Sequence, residues 1–179
     1  MNADLHVAQV PATSVVLNDI GFDDRSFRPP LYYGLRGGYL LKPTVGFEAE
    51  FIHVKAFARL PPAIAIQHYN VSHGLNLPLR NLVLQRQIVR RLDLCVRTAL
   101  GVAIPHPEIR AFGQTLEQYE LHGVAMQHAA GVNFELTRHM FWLAEYKFTT
   151  TKPRFEIGSA TIENTFSAHH IVTGLGFRF

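Results

Sequence analysis

Between Leu92 and Ile104 the side chains change character at every step. Leu92, Leu94, Val96, Thr98, Leu100, Val102 and Ile104 form one face, and Asp93, Cys95, Arg97, Ala99, Gly101 and Ala103 form the other. A period of two is that of a β-strand and excludes an amphipathic helix. The faces are also unusual in kind. One is nearly all apolar along its whole length, while the other mixes opposed charges with small residues. A soluble ligand-binding barrel of the lipocalin type is the architectural rival, and it would put apolar residues inside and charges outside. A crowded interior of small residues and paired charges, with grease outside, fits a narrow barrel whose surroundings are lipid.

The pattern recurs along the chain. Residues 32–41 set Tyr33, Leu35, Gly37, Tyr39 and Leu41 against Gly34, Arg36 and Gly38. Residues 45–58 set Val45, Phe47, Ala49 and Phe51 against Gly46, Glu48 and Glu50. Further strands are expected over 72–89, with a register shift near Arg80-Asn81, over 115–135 and over 139–151, before the closing strand. The links alternate in length: short at 42–44, 90–91 and 137–138, long at 59–71, 105–114 and 152–165. Short periplasmic turns and long outer loops are the habit of outer-membrane barrels. Charged residues are only 17% and mean hydropathy is +0.05. No run approaches the ~20 apolar residues of a spanning helix, a test that strands escape because only alternate residues meet lipid. The expected fold is therefore all-β, a small antiparallel transmembrane β-barrel of about eight strands. Residues 1–30 are read as an amino-terminal segment with the first outer loop, and residues 31–179 as the barrel, a single domain overall.

The closing strand carries Phe179, Phe177, Leu175, Thr173 and Ile171 on one face and Arg178, Gly176, Gly174, Val172 and His170 on the other. It looks like the last strand of a bacterial outer-membrane barrel, where a terminal Phe is an assembly signal. That resemblance implies the bacterial outer membrane as location and the barrel-assembly machinery as a partner. It also puts the carboxyl terminus in the periplasm and the long links outside. About seven strands are clear, and bacterial barrels take an even number. An open edge in lipid leaves backbone groups unpaired. A first strand must then come from residues 3–22 or from sequence upstream of Met1, and the alternation in residues 14–20 is imperfect. Met1-Asn2-Ala3-Asp4 is not a signal peptide, so the chain is expected to be a processed or engineered form or to start inside a longer gene.

Arg36, Glu48, Glu50, Arg97, Glu145, Lys147 and Arg178 all fall on inward faces. Buried charges must be paired, so they are expected to fill the lumen as a ladder rather than line an ion path. Net charge is +3 without a basic stripe or nucleic-acid motif, so no nucleic-acid partner is expected. Cys95 is the only cysteine and cannot form an internal disulfide. Of ten histidines, His53, His68, His73, His106, His122, His169 and His170 fall at outer strand ends or in outer loops. Imidazoles and carboxylates gathered there could hold a divalent metal or supply a general base, although no pair has a tight ligand spacing. The bland alternative is contact with lipid headgroups. Ser167 and His169 sit two apart, as in outer-membrane lipid A deacylases, but alternation points both toward lipid.

Several segments together resemble the outer-membrane β-barrel family that includes the rhizobial lipid A oxidase. They are Ser26-Phe27-Arg28-Pro29-Pro30-Leu31-Tyr32-Tyr33-Gly34-Leu35-Arg36, Glu50-Phe51-Ile52-His53-Val54-Lys55-Ala56-Phe57-Ala58, His73-Gly74-Leu75-Asn76, Gly101-Val102-Ala103-Ile104-Pro105-His106-Pro107-Glu108, Ala144-Glu145-Tyr146-Lys147 and the final Gly-Phe-Arg-Phe. The resemblance covers nearly the whole chain from about residue 13 and implies a strand before the first outer hairpin. It implies a reaction too: oxygen-dependent oxidation of the proximal glucosamine of lipid A with a divalent metal. His53, His73, His106 and Glu108 would then be metal or acid–base groups. Asn76, Glu50, Lys147 and His170 would orient the sugar or its phosphate. Strict alternation turns His53 outward with Phe51. Many members of such a family have no known activity, so a structural or loop-binding barrel in contact with outer-membrane lipid and lipopolysaccharide is the competing reading. Convergence of the named His and Glu side chains at the outer rim would favour the enzyme.

Overall fold

The computed structural model describes the backbone of residues 2–9, 13–23, 32–58, 66–106, 108–111, 114–117, 123–152, 154–157 and 160–179, and the side chains of 32–54, 75–106, 123–152 and 165–179. The elements are β1 (Asn2–Gln9), β2 (Thr13–Asp23), β3 (Tyr33–Lys42), β4 (Val45–Ala58), β5 (Ile66–Val89), β6 (Leu92–Val102), β7 (Ile104–Pro105), β8 (Glu108–Ala111), β9 (Gln114–Glu117), β10 (Val124–Glu135), β11 (Met140–Thr151), β12 (Arg154–Ile157) and β13 (Ala160–Phe177). Every ladder is antiparallel. A continuous run of neighbours goes β3–β4–β5–β6–β10–β11–β13. The β1–β2 hairpin then bridges the far end of this run, with β1 on residues 160–167 of β13 and β2 on Phe57 and Ala58 of β4. The sheet thereby curls into a ring at that end.

The short connections gather at the opposite end, with the carboxyl terminus. Their backbone groups are stitched together: Gln85 donates to Thr44 O at 2.9 Å, Glu135 to Arg91 O at 2.8 Å and Arg178 to His139 O at 2.9 Å. Arg91 takes φ 69°, the left-handed conformation that a tight strand-to-strand turn demands. This is the periplasmic end of the sequence-derived orientation.

The β4 span agrees with the expected 45–58, and β6 with the strict alternation after Leu92. Three features differ. The strand expected over 115–135 is two elements, β9 paired with β8 and β10 paired with β6 and β11; residues 118–122 lie outside the described set. β5 begins at Ile66 rather than 72. The register shift expected near Arg80-Asn81 is absent there. Pairing with β4 is continuous from Leu84 to Leu75, and the shift comes beyond, between Val54 and Ala56.

The registers put side chains in transverse rows that alternate outside and inside. Leu35, Phe51 and Pro78 are successive cross-strand partners on β3, β4 and β5, and Val102 pairs with Val124 across β6 and β10. Leu35 is 69% and Ile171 92% exposed, so the grease lies outside. The shared inner space holds Gly38, Glu48, Asn81, Ala99, Gln127, Thr149 and Ala168 in one such row. Space inside is short. A Cβ on Gly131 would strike the backbone of Ala144 and Glu145, and one on Gly176 would strike the Phe141 ring. Glycine is required at these two positions because neighbouring chain and ring already occupy the lumen.

Candidate functional site

The inner face carries three cations and three carboxylates at mid-barrel. Alternation places Arg36 on β3, Glu48 and Glu50 on β4, Arg97 on β6, and Glu145 and Lys147 on β11. Arg36 donates to both Glu145 oxygens, at 2.7 and 3.2 Å, and to Glu50 at 2.9 Å. Arg97 forks onto Glu48 at 2.7 and 3.2 Å and reaches Glu145 at 2.7 Å. Lys147 pairs with Glu50 and lies 3.3 Å from Glu145. Asn81 and Gln127 donate to the remaining Glu50 oxygen at 2.9 and 2.8 Å. The six formal charges cancel. Glu50, Arg97, Glu145 and Lys147 are buried. In a low-dielectric interior such groups persist only when paired and hydrogen-bonded; here the set pairs every charge, while Arg36 Nε and Gln127 Oε1 are buried without a hydrogen-bond partner among the described residues. Nearer the short turns, Arg178 pairs with Asp93 at 2.7 Å, and Cys95 is buried beside Asn133. The network is a plug: it crosses the lumen between strands on opposite walls.

A second polar cluster lies on the outer wall. Tyr33, His53 and Asn76 are successive cross-strand partners on β3, β4 and β5, with Ile104 of β7 beyond Asn76. They continue, one row toward the long-loop end, the apolar row of Leu35, Phe51 and Pro78. His53 is nevertheless buried. Its ring stacks on Tyr33 at 5.2 Å, and Nδ1 lies 2.8 Å from Asn76 Oδ1. With that oxygen as acceptor, Nδ1 carries the proton and Nε2 holds a lone pair. Nε2 is buried with no hydrogen-bond partner among the described residues. An imidazole fixed in this tautomer can ligate a cation or accept a proton.

The residues singled out from sequence therefore divide. His53 and Asn76 meet on the outer wall. His106 follows β7, two positions beyond Ile104, and is half-buried. His73 lies on β5 and Glu108 on β8, but their side chains are outside the described residues. Glu50 and Lys147 belong to the plug. His170 faces inward between the plug and the long-loop end, 2.8 Å from Thr149 Oγ1 and stacked on Tyr32 at 5.3 Å. Ser167 and His169 point outward; His169 contacts Tyr146 and Phe148. Among the described residues no three His, Cys, Asp or Glu side chains converge as a metal site. Sequence reading missed Tyr33, Asn81 and Gln127 as partners. The two amides share the inward parity of Glu50's neighbours, a signal that was available, whereas the stacking of Tyr33 needed the register.

No protein-family model matches the sequence, and no curated protein matches it. Solved structures do. Neisserial surface protein A is similar at a TM-score of 0.52 and 10% identity, with 99% of this chain and 93% of that one covered. Ail, the attachment invasion locus protein of Yersinia pestis, aligns at 0.46 and 13% identity over 99% and 93%. The amino-terminal β-barrel domain of Pseudomonas aeruginosa OprF aligns at 0.43 and 13% over 99% and 95%. At such identities the likeness to the Neisserial protein shows the fold, that of a small outer-membrane β-barrel.

Proposed function

We propose that this chain is a non-conducting β-barrel of the bacterial outer membrane that works through its outer end. The observation that carries the reading is the division of the sheet. At mid-height the lumen is closed by a neutral network of six charged side chains, so nothing in the wall calls for a solute path. A spanning strand needs only ~9–11 residues, yet β5 has 24. At ~3.3 Å per residue that is roughly 80 Å of strand. The excess is not idle, because β8 pairs onto the extended part of β5, β9 onto β8, and the β1–β2 hairpin onto the extended parts of β4 and β13. Ordered sheet beyond the lipid belt is a surface for binding, with lipopolysaccharide the nearest neighbour. Reconstituted in a planar bilayer, the full chain is expected to give no steady conductance. Open-channel currents that persist at neutral pH contradict the reading.

A second reading, modification of lipid A, is favoured by one feature, the buried Nε2 of His53 on the outward face, which has no hydrogen-bond partner among the described residues. Outer-leaflet lipid would present its headgroup at this height. Mass spectrometry of lipid A from cells expressing the wild-type chain and His53→Ala separates the readings. A mass change with wild type that disappears in the variant supports chemistry at His53. No change with wild type removes the enzymatic reading and leaves the binding one standing.

A further inference from the structure

The outward wall is as one-sided in charge as the lumen is balanced. Among the described residues the acidic side chains are Glu48, Glu50, Asp93, Glu135 and Glu145, and alternation turns all five inward. Arg80 does the opposite. It stands on the outward face of β5, between Ala49 of β4 and Leu100 of β6, and is exposed. Among the described residues it has no hydrogen-bond or ion-pair partner. The row it belongs to is low. Gly37, Ala49 and Arg80 are successive partners on β3, β4 and β5. Leu35, Phe51 and Pro78 stand in the next outward row on one side, and Tyr39, Phe47 and Leu82 on the other. An added Cβ at Gly37 would meet nothing within 4 Å, whereas at Gly38, on the inner face, it would strike β4. Two ridges of large apolar side chains thus enclose a bare groove that ends on a guanidinium.

The stagger of the sheet tilts this groove. Val45, next to its short turn, lies opposite Leu84, five positions before β5 ends at Val89. Rows therefore descend toward the short turns on passing from β5 to β3. Arg80 is nine positions before Val89, which at ~3.3 Å per residue and a tilt of ~40° puts it about 23 Å above that end. That is the upper edge of an apolar band ~25 Å tall. We propose that Arg80 and the groove form a lipid site: the guanidinium holds a phosphate of an outer-leaflet glycolipid, and one acyl chain runs down over Ala49 and Gly37. The site rests on the outer-membrane reading above and needs no chemistry at His53. A guanidinium forks onto phosphate oxygens and stays charged at any working pH. Among the described residues no outward carboxylate stands ready to balance the ammonium of a zwitterionic headgroup. The wall therefore selects a phosphate that carries no attached cation.

The full chain folded in detergent micelles, with bisphosphorylated lipid A added, should retain one lipid in native mass spectrometry. Arg80→Gln should lower the retained fraction about tenfold or more, as expected for a lost charge-assisted bond. Ala49→Trp fills the groove floor without changing charge and should lower it as well. Arg86→Gln removes an outward cation on the same strand, nearer the short turns, and should bind as wild type. The heat-dependent gel shift of a folded barrel checks that each variant is folded. Two arms need no variant. Lipid A stripped of its phosphates should not be retained, and excess inorganic phosphate should not displace the bound lipid, because the acyl chain holds it too. Wild-type retention by Arg80→Gln, equal losses in Arg80→Gln and Arg86→Gln, or equal retention of the stripped lipid overturns the site. Displacement by inorganic phosphate removes the groove from it and overturns it as stated. Planar-bilayer conductance of the same preparation keeps the failures apart. A silent bilayer with no lipid retained removes the site alone, and open-channel currents remove the closed-barrel reading whatever the lipid does.

Discussion

Glu145→Leu should destabilise the folded barrel by about 3–5 kcal/mol, the range for removing one partner of a buried ion pair. The loss is large because Glu145 is shared. Two guanidinium groups, Arg36 and Arg97, both bond to it, and Lys147 lies beside it. Removing it leaves a lumen charge of +1 with no water of bulk character to take up the excess. Equilibrium urea unfolding in lipid vesicles, followed by Trp142 fluorescence, measures the change. The double variant Glu145→Leu with Arg97→Leu restores charge balance and should recover part of the loss, so the two substitutions are strongly non-additive. A loss below about 1 kcal/mol, as for exposed pairs, would mean that the lumen is wet and the plug is not a plug.

Val96→Arg should cost about 2–4 kcal/mol, the price of an Arg on the lipid face near the bilayer midplane. Val96 is 47% exposed near the middle of β6 and flanked on the outer face by Leu84 and Ala130. The same change on a water-facing wall would fall within about 0.5 kcal/mol. The two outcomes do not overlap, so urea unfolding of this one variant distinguishes lipid from water as the outer solvent.

Where both faces of a strand are constrained, by lipid outside and packing inside, the sequence could be read closely. Residues 45–58 kept their span, the strand expected over 92–104 runs as β6 to Val102 with Ile104 in β7, and all seven charges assigned inward lie inward. Partnership was not legible. Nothing in a linear pattern says that Arg36 reaches Glu145 on β11 as well as Glu50 beside it, since that depends on barrel width and stagger. Beyond the belt the pattern lapses, because both faces of a strand there can meet water. That is why residues 66–71 of β5 read as part of a link and 115–135 as one strand. The alternation in β1 and β2 was too poor to place either; their role is defined by the strands they bridge. The outward setting of His53 followed from alternation, but its burial under Tyr33 and its bond to Asn76 needed the registers of three strands.

Trp142 is the only tryptophan, and it tests the central claim without any substitution. It lies on the outward face beside Phe134 and Leu175, with its indole nitrogen bonded to Thr173 Oγ1 at 2.7 Å, near the short-turn end where an interfacial aromatic belt belongs. The measurement is fluorescence quenching of the chain folded into vesicles by brominated lipids and by aqueous acrylamide. An apolar wall set in lipid predicts strong quenching by lipids brominated close to the headgroup and weak quenching by acrylamide. Free quenching by acrylamide with none from any brominated lipid would contradict it.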